Sequence, residues 1–135
     1  MLKRAPGRLG SGAAFALGLV LVGCPDGARE KSEAAAVSRA VTSLRDADNE
    51  KKRDHLASLR ATECSAADVC AVRSTCLAGY EVLVETLERV REVAANSDAG
   101  SGTGVDGLKR DLARAADLTA KCTDTQGEMI RRYKL

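Results

Sequence analysis

VCAVRSTCLAGYEVLVETLERVREVA, residues 69 to 94, is the stretch that decides the fold class. Val69, Val72, Cys76, Tyr80, Leu83, Leu87, Val90 and Ala94 step by three or four, which keeps one face of an α-helix apolar for about seven turns. Just upstream, Ser65 followed by Asp68 has the spacing of a capping box, with the acidic member also set against the positive end of the helix dipole. The helix is therefore expected to begin just after Ser65.

Upstream of this helix, Val37, Val41, Leu44, Leu56 and Leu59 predict a first helix from about Ser32 to Glu63. Its middle, RDADNEKKRDH from Arg45 to His55, has Ala47 as its single apolar residue and interrupts the stripe. A turn of a residue or two would join these helices, so they are expected to pack antiparallel. Downstream, NSDAGSGTG (residues 96 to 104) reads as a flexible connector. A phosphate-binding loop would need a preceding strand and a following Gly-Lys-Ser/Thr, and neither is written here. A third helix, from Thr103–Asp106 to about Tyr133, carries Val105, Leu108, Leu112, Ala115, Thr119, Cys122, Met129 and Tyr133 on one stripe. Gly127 costs it about 1 kcal/mol relative to Ala, so its last turns are expected to be weak. The expectation is an all-α, elongated, antiparallel three-helix bundle.

Composition agrees. Phe15, Tyr80 and Tyr133 are the only aromatics among 135 residues, so the core must be built from Leu, Val and Ala, which interlocked helices tolerate better than sheets.

The first twelve residues carry Lys3, Arg4 and Arg8 with no acidic side chain, and AAFALGLVLV (residues 13 to 22) is a ten-residue apolar run. That is the order of a secretory signal. As a helix the run spans about 15 Å, half a bilayer core, so a transmembrane anchor is the weaker reading. Leu21-Val22-Gly23-Cys24 follows, and it resembles the lipobox of bacterial lipoproteins. An ordinary cleaved signal would want a small residue where Leu21 stands. The resemblance covers residues 1 to about 26. It implies diacylglyceryl transfer to the Cys24 thiol, cleavage before Cys24, and acylation of the new amino group by a fatty acid such as palmitate. The chain would then divide into a signal peptide (1 to 23), a lipidated N-terminus and polar spacer (24 to 31) and a helical domain (32 to 135). Location would be the bacterial cell envelope, on the inner or outer membrane, with the domain in the periplasm or outside the cell.

Removing residues 1 to 23 leaves 112 residues, enough for one compact domain, with 18 basic and 19 acidic side chains. With no basic excess and no aromatic interleaving, nucleic-acid binding is set aside.

With Cys24 lipidated, Cys64, Cys70, Cys76 and Cys122 remain, an even number in an exported chain, which reads as two disulfides. The close pairs of a zinc site and the C-x-x-C-H of a haem site are missing, so no metal or cofactor is expected. Cys70 and Cys76 on one helix stand about 9 Å apart along its axis, too far to bridge. Cys64 to Cys70 would be a covalent version of a hydrophobic staple. Cys76 lies 20 residues before Asn96 and Cys122 16 after Asp106, a mismatch of about 6 Å that shifts in the helix ends can absorb. The pairs expected are Cys64–Cys70 and Cys76–Cys122.

His55 is the only histidine and has Asp54 beside it, but no nucleophile is placed by motif, so a solvated side chain is favoured over a general base. In a hairpin turning near residue 64, Asp48 and Lys51 would lie level with Ala78, Gly79 and Tyr80. Asp48, Lys51, His55 and Tyr80 are the candidate ligand site on this reading, against the simpler possibility of an exposed charged face. Glu85 with Arg89 and Asp117 with Lys121 are read as surface pairs along their helices. The function expected is a non-enzymatic structural or interaction module, tethered to the membrane and meeting a protein or cell-wall partner. The alternative is a small-ligand or metal-responsive envelope protein using the polar middle of the first helix.

Overall fold

A computed structural model describes residues 25 to 96 and 102 to 135. Four helices account for almost all of them: α1 (Pro25–Asp46), α2 (Lys52–Ala61), α3 (Ala67–Ala95) and α4 (Gly102–Tyr133). No strand occurs among the described residues.

α3 and α4, about 43 and 48 Å long, form an antiparallel hairpin. Asp68 meets Arg132 at one end, Cys76 is bonded to Cys122 in the middle, and Arg89 meets Asp111 at 2.8 Å near the other end. The expected mismatch between Cys76 and Cys122 vanishes because α4 starts earlier than the glycines suggested. Gly102 and Gly104 are already helical, so Cys122 lies 20 residues into α4, as far from the connector as Cys76. One turn beyond Cys76, a Cβ on Gly79 would lie 3.0 Å from the Leu118 carbonyl carbon and oxygen. That glycine lets the two backbones close to the 4.6 Å Cα separation at which Cys76 and Cys122 bond. The second pair, Cys64–Cys70, also forms, at a Cα separation of 5.5 Å.

The helix expected from Ser32 to Glu63 requires correction, because it is two helices. The chain leaves α1 after Asp46 and re-enters as α2 at Lys52, within the polar interruption. Without an apolar face nothing anchors those turns to the core, and the last carbonyls of α1 are left without intrahelical donors. Lys52 satisfies them. Its ammonium donates to the carbonyls of Leu44 (3.1 Å), Arg45 (3.0 Å) and Ala47 (2.8 Å), and the residue is only 7 % exposed. A buried cation is tolerable here because all three of its protons are bonded and the negative end of α1 faces it.

α2 runs back along α3, with Arg60 on Glu81 at 2.6 Å and Arg53 on Glu88 at 2.9 Å through its Nε. Leu56 and Leu59 of α2 join Val37, Val41 and Leu44 of α1 over Val69, Val72, Cys76, Tyr80 and Val84 of α3. α1 is antiparallel to α4. The Lys31 ammonium reaches the Lys134 carbonyl at 3.1 Å, and the buried Gln126 amide donates to the Ser38 carbonyl (3.0 Å) and the Thr42 hydroxyl (3.2 Å) while accepting from Arg45. The chain therefore runs up, down, up, down.

Four further expectations differ. The polar segment 25 to 31 is helical, forming the first turns of α1. The Ser65/Asp68 capping box does not form, since Ala66 is the N-cap residue of α3 and makes no side-chain cap. Glu33 takes over that task from α1, as described below. Arg89 turns across to Asp111 of α4 instead of pairing along α3 with Glu85, and no Asp117–Lys121 bridge forms, because an interhelical partner was in reach for the first and both members of the second stay exposed. Gly127 does not interrupt α4, whose last turns bury Gln126 and Met129.

Candidate functional site

Of the four residues singled out as a ligand site, Asp48, Lys51 and His55 lie together where the α1–α2 turn enters α2, and Tyr80 lies apart from them. Asp48 and Lys51 are exposed in the α1–α2 turn, where the Asp48 carbonyl accepts the Lys51 N–H at 2.9 Å and the Lys51 carbonyl accepts the N–H groups of Asp54 and His55. Tyr80 is buried in the core. The α2–α3 ion pairs place Arg60, next to Glu81, at the level of Tyr80. The five residues of the turn and the Thr62–Ala66 linker shift the register that a tight hairpin would have had. Four grooves on the described surface have none of Asp48, Lys51, His55 and Tyr80 in their linings. Leu21, Val22, Gly23 and Cys24 lie outside the described residues.

Two other regions are assembled. The first is the end of the bundle where α1 begins. There the Glu33 carboxylate accepts the Ser65 N–H (2.6 Å), the Ser65 hydroxyl (2.7 Å) and the Ala66 N–H (3.2 Å), capping α3 from a different helix. These bonds hold its carboxyl down at about 2, from an ordinary value of 4.5. Asp68 accepts from Tyr133 Oη at 2.9 Å, from Arg132 Nη1 at 2.7 Å and from the Val69 N–H at 2.9 Å. Burial works against the Asp68 charge, yet these bonds prevail and its carboxyl lies below the ordinary range; burial and the same contact raise the Tyr133 phenol. Beside this knot a groove of 190 Å³ between α3 and α4 has Val72 and Met129 in its lining and Asp68, Glu128 and Arg132 at its edge.

The second region is the far tip of the α3–α4 hairpin. Steps of seven residues from Val69 through Cys76 and Leu83 lead to Val90, and from Gln126 through Thr119 to Leu112 and Val105, so each line stays on one helix face. Lower in the bundle α1 and α2 cover these lines. At the tip Val90 (36 % exposed), Val105 (38 %) and Leu112 (39 %) are open to solvent. The apolar stripe outruns its cover.

Sequence reasoning missed Glu33, Lys52 and Gln126. For Gln126 there was a signal: it stands four residues after Cys122 and three before Met129, on the apolar stripe of α4. Comparison with protein-family models, curated proteins and solved structures finds no match.

Proposed function

We propose that this chain is an envelope lipoprotein in which residues 1 to 23 are a signal peptide, Cys24 carries the lipid, and the helical domain is a non-enzymatic module that meets a protein or cell-wall partner. The observation that carries the interaction reading is the uncovered stripe of Val90, Val105 and Leu112, since an apolar helix face continuing past its own core is the kind of surface a partner buries. Its position supports the tether as well. α1 starts at the residue after Cys24, at the end of the bundle opposite the hairpin tip, so the lipid would hold one end and present the other. Cross-helix ion pairs, the two cysteine pairs and the Gln126 network would keep that distance fixed. The described bundle has four helices instead of the three expected, because α2 folds back antiparallel to α1.

Photo-crosslinking in intact cells tests this reading, with the crosslinking side chain placed at Leu112 or, as comparison, at exposed Asp124. Leu112 should give one reproducible adduct, identifiable by mass spectrometry, that Asp124 does not. Equal or no adducts, together with a ligand response abolished by Asp48→Ala, Lys51→Ala and His55→Ala combined, would move the function to the small-ligand class.

A further inference from the structure

The geometry points to a second membrane contact, a site for anionic phospholipid headgroups in the groove where the end of α4 lies against α1. It rests on the tether reading and adds an orientation to it. The groove, 380 Å³, is lined by Lys31, Ala35, Ser38 and Arg39 of α1 and by Lys134 and Leu135. Its charged side chains are three cations, and the lining stays positive with a main-chain carboxylate on Leu135 counted against them. None of the three has a carboxylate partner among the described residues.

The end of α4 is built to hold this arrangement. Lys134 takes φ 52, the left-handed region where glycine is the inexpensive choice, and the Leu135 N–H returns to the Ile130 carbonyl at 3.2 Å, closing a Schellman turn. The Lys31 ammonium on the Lys134 carbonyl fixes that turn to α1. A lysine at this strained position adds a cation to the groove that glycine could not. Next to it Leu135 is 43 % exposed, the one exposed large apolar side chain at this end of the described bundle.

Cations around an exposed leucine match a lipid interface, where phosphates meet the cations and the apolar side chain enters the acyl boundary. Free phosphate would use the cations and leave Leu135 idle. Along α1, Lys31 is about 9 Å and Arg39 about 21 Å past Pro25. For both to reach the headgroups, the bundle must lean with its α1–α4 side toward the membrane.

The test uses mature protein in nanodiscs of phosphatidylcholine alone or with one third phosphatidylglycerol, reading hydrogen exchange over residues 31 to 39 and 130 to 135. Phosphatidylglycerol should slow exchange in both segments by about fivefold or more, the factor that one basic side chain contributes at an anionic surface. High salt should erase the effect. Lys31→Glu, Arg39→Glu and Lys134→Glu combined should remove it, whereas Lys109→Glu with Arg110→Glu at the hairpin tip should not. Should the triple variant unfold, Arg39→Glu alone and the salt titration decide. Equal exchange in the two discs, or equal slowing by inorganic phosphate with phosphatidylcholine discs, overturns the proposal. The mass of the mature N-terminus in the same sample separates the two readings. An unacylated Cys24 defeats the tether, and the disc comparison still scores the groove.

Discussion

Gly79 of α3 and Leu118 of α4 approach backbone to backbone, so closely that a Cβ on the glycine would lie 3.0 Å from the Leu118 carbonyl and force one helix to give way. Helix backbones have little freedom to retreat here, because the Cys76–Cys122 bond lies one turn away. Gly79→Ala should therefore destabilise by about 1–3 kcal/mol, the cost of overpacking, despite alanine's better helix propensity. Urea unfolding of the oxidised protein reads the difference. A neutral or stabilising result would show that the helices can part.

The two cysteine pairs should contribute unequally. Loop-closure entropy assigns about 4 kcal/mol to Cys76–Cys122, which closes 46 residues, and about 2 kcal/mol to Cys64–Cys70, which closes 6. Replacing both members of each pair with alanine and comparing urea midpoints checks the order. Peptide mapping without reduction should recover these two links.

Glu33 should make the fold sensitive to acid. Its carboxyl titrates at about 2 in the folded protein and at an ordinary 4.5 when unfolded, so its contribution is complete above about 4.5 and is lost as pH falls toward 2. Asp68, also lowered, acts in the same direction. Stability measured from pH 6 to pH 2 should fall steeply in the wild type, and Glu33→Gln should flatten that fall while lowering stability at pH 6. An unchanged slope would mean that the cap on α3 is not formed in solution.

Lys52→Met keeps the length of the side chain and removes three donors from the end of α1. Leaving the Leu44, Arg45 and Ala47 carbonyls unsatisfied should cost about 1–3 kcal/mol. Lys51→Met, on the exposed neighbour, should stay within about 0.5 kcal/mol of wild type. Equal effects of the two would contradict the role given to Lys52.

What the sequence carried, and what it did not, follows from the range of each interaction. α3 and most of α4 were legible because an apolar stripe is a local, periodic signal. Cysteine pairing was legible because helix geometry limits which thiols can meet. The break at residues 47 to 51 announced itself as a polar interruption, but ending α1 depended on Lys52 folding back onto carbonyls five to eight residues earlier, a choice that composition does not encode. Ser65 read as a cap because the motif is local, whereas Glu33 captures it from 32 residues away. The register expected to set Tyr80 beside Asp48 and Lys51 assumed a tight turn, and two irregular segments put Tyr80 at the level of Arg60 instead. The tip at Val90, Val105 and Leu112 was written in the stripes all along. Its exposure was not, because it depends on where α1 and α2 stop.

The central claim is that Cys24 carries the lipid tether, and metabolic labelling with a fatty-acid analogue tests it most directly. Cells producing the wild-type chain or Cys24→Ser are labelled, and the protein is isolated and its label measured. The account predicts label on the wild type and none on Cys24→Ser, whose precursor should also keep residues 1 to 23. Equal labelling of the two, or an unlabelled wild type cleaved elsewhere, would contradict it.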